Sequence, residues 1–184
     1  MKLLFSAFAV LITAGIAQAD PALRTCLMTK VPPLAAQMQA ASACATDKSC
    51  TPAPLSGYER VAETQCFEEA MARCDATADP GQCVSGVTDY LSHVTRSRAG
   101  AVKPAGIDAA IADLPFFQKR SLAKAYDQHV QGLIQTDCDI PEAVAALEAR
   151  LPKDLPAQTI CAAVEAFGHY QILRRLERAI DAAG

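Results

Sequence analysis

Three cysteines lie within nineteen residues in the segment QCFEEAMARCDATADPGQC, residues 65–83. Cysteines that bind zinc usually occur in pairs separated by about two to four residues. Here the gaps between neighbouring cysteines are seven and eight residues. The chain also contains no C-x-x-C motif, which argues against a thioredoxin-type redox site and covalent haem attachment. The spacing therefore favours structural disulfides over a metal site or a redox pair.

The chain contains eight cysteines, an even number that favours four disulfides in an oxidising compartment. One pair flanks the turn between two predicted antiparallel helices, and another flanks the polar loop ATDKS. A third pair connects the end of one predicted helix to the start of another, and the fourth consists of the two remaining cysteines. In that order, the predicted disulfides are Cys74–Cys83, Cys44–Cys50, Cys138–Cys161 and Cys26–Cys66.

Two of the three histidines have a carboxylate four residues earlier, Asp89 before His93 and Glu165 before His169. Positions four apart share one face of a helix, so each pair could offer two ligands to one metal ion. If the two helices were in contact, the pairs would form a small metal site with nitrogen and oxygen ligands. The alternative is that each pair is a surface ion pair that contributes little to stability.

Other charged residues have simpler interpretations. Four glutamates occur close together in one predicted helix, at positions 59, 63, 68 and 69, and we expect them to form a solvated face. Arg174, Arg175 and Arg178 are expected to complement the dipole of the last helix. Motifs such as G-x-S-x-G, H-E-x-x-H and the glycine-rich phosphate loop do not occur. The sequence therefore predicts no cofactor and favours a protein that is not an enzyme.

The N-terminus has the pattern of a secretory signal peptide. Lys2 provides the positive charge, residues 3–16 are apolar, and Ala17-Gln18-Ala19 forms an A-x-A cleavage site. The uncharged stretch is too short to favour a retained membrane anchor. We therefore expect cleavage of residues 1–19, a mature chain that begins at Asp20, and a location in the bacterial periplasm or outside the cell.

The composition excludes two classes of partner. Loss of Lys2 with the signal lowers the formal net charge from -3 to -4, and the sequence has no basic stripe that could neutralise phosphates. We therefore expect no nucleic-acid partner. No second apolar segment approaches membrane-spanning length, so we expect no membrane association after cleavage.

The remaining pattern is helical. Apolar residues recur every three or four positions, as in Val84, Val87, Leu91 and Val94. The series Asp79-Pro80-Gly81-Gln82 is typical of a helix start with a capping carboxylate. The predicted fold is an all-α, disulfide-stapled bundle of about six or seven helices, near residues 21–30, 34–46, 57–77, 80–98, 116–135, 141–150 and 157–182.

Two stretches of the sequence are expected to interrupt the helices. Pro32-Pro33 should separate the first two helices, because neither proline can donate a backbone hydrogen bond. Residues 96–106, RSRAGAVKPAG, form a possible internal linker. The linker leaves open a division into two small domains, and we prefer a single helical domain over residues 20–184 with a flexible crossing loop.

The cysteine layout resembles that of the LprI-like lysozyme-inhibitor family of bacterial envelopes. The similarity lies in Cys74 and Cys83, in a helix that ends at Cys138, and in Cys161 at the start of the final helix. The Gln, Trp and Arg-Asp positions of that family have no counterpart in the matching helix, so the resemblance implies no site residues. It implies a binding or inhibitory protein of the envelope, and the net negative charge would suit a cationic partner such as a lysozyme. The alternative function is a periplasmic metal-handling protein or enzyme that uses Asp89/His93 and Glu165/His169.

Overall fold

The computed structural model describes residues 21–45, 55–131, 152 and 154–184. Within these ranges the chain forms helices and connecting turns, without a β-strand. The elements are α1 (Pro21–Thr25), a π-helical turn (Cys26–Lys30), α2 (Val31–Ala45), α3 (Leu55–Asp75), α4 (Pro80–Ala99), α5 (Pro104–Ile111), α6 (Phe116–Gln131) and α7 (Ala157–Ala183). The predicted disulfide-stapled all-α fold is confirmed. Helices α3, α4 and α7 begin and end within two residues of their predicted bounds.

The two adjacent prolines do not divide the first helical segment. The structure has one continuous helical run from α1 through the π-helical turn into α2, so the predicted separation at Pro32-Pro33 is wrong. A proline ring inside an α-helix clashes with the carbonyl four residues earlier. Here the backbone N–H of Val31 donates to the carbonyl of Cys26, five residues earlier. This wider π-type register immediately before the prolines lets the helix continue.

The start of α4 agrees with its sequence pattern. The side chain of Asp79 accepts a hydrogen bond of 2.9 Å from the backbone N–H of Gln82, and Pro80 occupies the first helical position. The proline has no N–H that would remain unpaired there, and its fixed φ suits the helix. The predicted cap is confirmed.

Two groups of buried side chains form the core, and α7 contributes to both. In the first, the rings of Phe67 on α3 and Phe167 on α7 stack with centroids 4.4 Å apart. The second lies towards the C-terminal half of α7, where Leu173 and Leu176 pack with Ile107 of α5. Burial of these apolar side chains is the main favourable term that holds the helices together.

The predicted linker over residues 96–106 is mostly helical. Helix α4 extends to Ala99 and α5 begins at Pro104, which leaves a short turn closed by a hydrogen bond from the N–H of Val102 to the carbonyl of Ala99. Val102 is itself buried in the second core group. Glycine, alanine and proline dominate this stretch and obscure its helical period, so α5 is absent from the predicted helices.

Two disulfides attach α3 to its neighbours within the first core group. Cys26–Cys66 connects the π-helical turn to the middle of α3, and Cys74–Cys83 connects the end of α3 to the start of α4. Both are pairings that the sequence predicts. Cys161 is also disulfide-bonded. The predicted partner Cys138, the predicted Cys44–Cys50 bridge, the helix near 141–150 and the signal peptide at 1–19 lie outside the described residues or their described side chains.

In the described ranges, no helix has the length and apolar character needed to cross a membrane.

The two disulfides should contribute unequally to stability. Cys26–Cys66 joins residues 40 positions apart, whereas Cys74–Cys83 joins residues nine apart. Because a longer loop loses more chain entropy on closure, we expect the C26A/C66A variant to lose about 4 kcal/mol of unfolding free energy and the C74A/C83A variant about 2.5 kcal/mol. Urea unfolding of the oxidised proteins measures both values. Equal losses, or the reverse order, would contradict the chain-entropy explanation.

Candidate functional site

Three of the four residues predicted as metal ligands line one groove. Asp89 on α4 lies across from Glu165 and His169 on α7, in a groove of about 430 Å³ that we call the α4–α7 groove. His169 Nε2 lies 3.8 Å from Glu165 Oε1, so this pair forms the predicted contact within one helix. His93 is exposed and is not part of the groove lining.

The groove does not assemble a metal site from both pairs. Within the described ranges, no group of three or more His, Cys, Asp and Glu side chains could hold a metal ion. The structure therefore brings Asp89, Glu165 and His169 to one groove but does not join the two predicted pairs into one set of ligands.

Hydroxyl groups from α4 line the same groove. Thr88, Ser92 and Thr95 are spaced four and three residues apart, so they share the face of α4 that meets α7. The hydroxyl of Thr88 donates to the carbonyl of Val84, which leaves its oxygen lone pairs free to accept a hydrogen bond. Thr95 Oγ1 is buried and has no hydrogen-bond partner among the residues that the structure describes. These hydroxyl residues are not among the predicted site residues, although their helical spacing beside Asp89 is a signal that could have identified them.

Small side chains form the apolar part of the groove, and one cation lies at its edge. Ala162 and Ala166 of α7 line it and let α4 approach closely. Arg96 also lines the groove, and its Nε donates to the carbonyl of Ser92. The groove thus combines two carboxylates, one imidazole, one guanidinium, three hydroxyls and a short apolar surface, and its acidic groups outnumber its one permanent cation. This combination suits the aliphatic stem and charged head of a lysine or arginine side chain.

A buried carboxylate lies on α3, in the helix whose glutamates are predicted to form a solvated face. Glu63 of α3 is only 1% exposed, so that prediction is wrong for this residue. Arg178 Nη1 donates a hydrogen bond of 2.9 Å to Glu63 Oε1, and Arg174 Nε lies 3.9 Å from the same oxygen. Arg178 Nη1 also lies 2.6 Å from Glu59 Oε2. An ionised carboxylate is buried at tolerable cost only when it is paired in this way.

The ion pairs extend from α3 through α7 to α4. Arg174 Nη1 donates to Glu177 Oε2, and Arg98 of α4 donates from Nε to Glu177 Oε1 at 2.8 Å. The last turn of α7 contains no basic residue. Because the helix-dipole effect is confined to about the last turn, the predicted role of Arg174 and Arg178 as dipole complements is wrong. They hold carboxylates instead.

Burial has the largest effect on the protonation of Glu63. It raises the pKa of this carboxyl above its ordinary value of 4.5, although the positive charges of Arg178 and Arg174 oppose the rise. The negative charge of Glu59 adds to it. Burial also raises the pKa of the neighbouring Tyr170 phenol, and the charge of Glu63 contributes in the same direction. Both groups therefore bind their protons more tightly in the folded protein than in the unfolded chain.

The raised pKa of Glu63 predicts a specific dependence of stability on pH. The folded protein binds the Glu63 proton more tightly than the unfolded chain, so this contribution is fully present below pH 4.5 and is lost as the pH rises through the folded pKa. We expect the unfolding free energy of E63Q, minus that of the wild type, to increase as the pH rises above 4.5. Urea unfolding at a series of pH values measures this difference.

Two further variants separate this effect from other titrating groups. Arg178→Met removes the cation that most lowers the Glu63 pKa, so the unfolding free energy of this variant should fall further than that of the wild type as the pH rises. The double variant E63Q/R178M lacks the titrating carboxyl, so it should not show this additional fall. Lys30→Met breaks the exposed pair with Glu69 and should change stability by less than about 1 kcal/mol. A pH-independent difference between E63Q and the wild type would contradict the assignment.

Comparison of the chain with protein-family models, with curated protein sequences and with solved structures finds no match. The resemblance to the LprI-like family therefore stays a prediction from the cysteine layout.

Proposed function

We propose that this protein is exported to the bacterial periplasm and acts there as a non-enzymatic binding or inhibitory module. In this proposal the α4–α7 groove receives a basic side chain of a cationic protein partner, such as a lysozyme. The observation that carries the proposal is the placement of Asp89 and Glu165 on opposite walls of one groove.

The chemistry of the groove supports a cationic guest. A guest ammonium or guanidinium group has donors only, and the groove offers carboxylate oxygens together with the acceptor oxygen of Thr88. Its aliphatic stem could lie on Ala162 and Ala166. Arg96 also lines the groove and opposes a guest cation, but the carboxylates of Asp89 and Glu165 outnumber it.

The disulfides support an extracytoplasmic location. Disulfides form and persist in oxidising compartments and are rare in the cytosol, and Cys26–Cys66 and Cys74–Cys83 both lie in the first core group. The apolar N-terminal segment and its A-x-A site provide the route for export. The resemblance to the LprI-like family adds the class of partner, a lysozyme.

Export has a direct test. We expect protein purified from the periplasm of an expressing bacterium to have an intact mass that begins at Asp20, and to take up no alkylating reagent until it is reduced. Uncleaved protein would contradict the signal peptide. Free thiols on more than one cysteine would contradict the disulfides and favour the metal-handling alternative.

The partner is tested by binding. We expect the exported protein to bind a lysozyme and inhibit it, and the D89N/E165Q variant to bind at least about tenfold more weakly, because a charge-assisted hydrogen bond typically contributes about 1.5–3 kcal/mol. Surface plasmon resonance measures the affinity, and cell-wall lysis measures the inhibition. Absence of binding by the wild type would reject a lysozyme as the partner.

A control variant matched to D89N/E165Q removes two carboxylate charges outside the α4–α7 groove. Asp108 and Asp113 are exposed and do not line the α4–α7 groove. The D108N/D113N variant has the same net charge as D89N/E165Q, so we expect it to retain nearly full affinity. Equal weakening of both variants would mean that net charge, and not the groove, attracts the partner.

The metal-handling alternative predicts metal in the native protein and its loss in D89N/E165Q, which elemental analysis of the same samples measures.

A further inference from the structure

A second groove lies on a different face of α7 and has the opposite charge. It has a volume of about 510 Å³ and is lined by Arg60 of α3, by Arg175 and Arg178 of α7, and by Ser121 of α6. We call it the arginine groove. Its size lies within the range of about 300–1,000 Å³ that is typical of small-molecule sites.

The three arginines differ in how their charges are balanced. Arg178 is held by Glu59 and Glu63, so its charge is largely compensated. Arg175 donates from Nη2 to the neutral hydroxyl of Ser121 at 2.8 Å. In the part of the chain that the structure describes, neither Arg60 nor Arg175 has an ion pair with a carboxylate. Two guanidinium groups thus border the groove without a carboxylate partner among the described residues.

The positive charges around the arginine groove affect the protonation of Arg175. Burial lowers the pKa of its guanidinium, and the positive charges of Arg60 and Arg178 lower it further. Like charges held near one another in a partly buried position repel each other, and an anion between them relieves the repulsion. Arg178 cannot move away to relieve it, because its contacts with Glu59 and Glu63 fix its position.

The remaining lining groups favour a small organic anion. Ile172 provides an apolar surface, and Gly57 leaves open space, since a Cβ atom there would meet nothing within 4 Å. Gln171 closes one end, where its Nε2 donates to the carbonyl of Arg60 and to Thr64 Oγ1. Beyond this bridge lies a separate groove that Arg60 and Gln171 also line, together with Glu68.

We propose that the arginine groove binds a small organic anion, whose carboxylate or phosphate oxygens accept hydrogen bonds from Arg60 and Arg175 while its carbon skeleton contacts Ile172. The guanidinium fork matches the paired oxygens of either group. This site goes beyond the proposed function, because it uses different residues and a ligand of the opposite charge.

Isothermal titration calorimetry of the purified, oxidised protein tests the proposal at low ionic strength, with citrate and inorganic phosphate as separate probes. We expect saturable one-site binding of at least one probe, weakened by added salt. R60Q and R175Q should each weaken binding about tenfold or more, through loss of a charge-assisted hydrogen bond. Tighter binding of citrate would identify a carboxylate ligand, and tighter binding of phosphate a phosphorylated one. Absence of saturable binding of both probes would overturn the proposal.

Three controls make the result specific. Arg24 is exposed on α1 and lies outside the groove lining, so R24Q removes one positive charge and should bind as the wild type does. Weakening by R24Q equal to that by R60Q would overturn the proposal. Arg60 is itself exposed, so R60Q gives a result even if R175Q fails to fold. D89N/E165Q should bind the anion unchanged, which separates this site from the lysozyme proposal.

Discussion

The pairing of a buried carboxylate with two arginines is the interaction on which the arrangement of this bundle depends. Removing Glu63 from water costs several kcal/mol unless its charge is matched, and the match comes from Arg178 and Arg174 of α7. A shift of α7 by one turn along α3 would move both guanidinium groups about 5 Å and leave the carboxylate unpaired. The ion pairs therefore fix the register between α3 and α7, and with it the position of every groove residue on α7.

Apolar packing and disulfides provide the stability that this polar interaction does not. The stacked rings of Phe67 and Phe167 contribute to the contact between the same two helices, in the first core group. Cys26–Cys66 and Cys74–Cys83 attach α3 to its neighbours on both sides of that stack. Because the unfolded chain loses entropy when each loop is closed, the bridges stabilise a core in which many side chains are small. Those small side chains, in turn, let α4 lie close enough to α7 for a groove to form between them.

The sequence predicts the features that depend on neighbouring residues. Helical periodicity locates α3, α4 and α7, and the cap at Asp79 and the short Cys74–Cys83 loop follow from local spacing. The burial of Glu63 could not be predicted in this way, because its partner Arg178 lies 115 residues further along the chain. The continuous helix through Pro32-Pro33 was missed for a different reason. Its π-type register changes which carbonyl lies beside each proline, and no local pattern in the sequence signals that change.

The two candidate sites share α7 but lie on different sides of it. At 3.6 residues per turn, Glu165 and His169 fall on nearly the same face, whereas Gln171, Arg175 and Arg178 fall on a face roughly opposite. The helix can therefore present carboxylates to the groove with α4 and guanidinium groups to the groove with α3 and α6.

Charges of opposite sign on separate faces of one helix attract each other, so their coexistence carries no electrostatic penalty. Leu173 and Leu176 continue the face of Glu165 towards the C-terminus, where they are fully buried against α5 and α6. The ion pairs of Glu63 hold only the arginine face in register, so they constrain the arginine groove directly. The α4–α7 groove depends on the same register indirectly, through the rigidity of α7 as a single 27-residue helix.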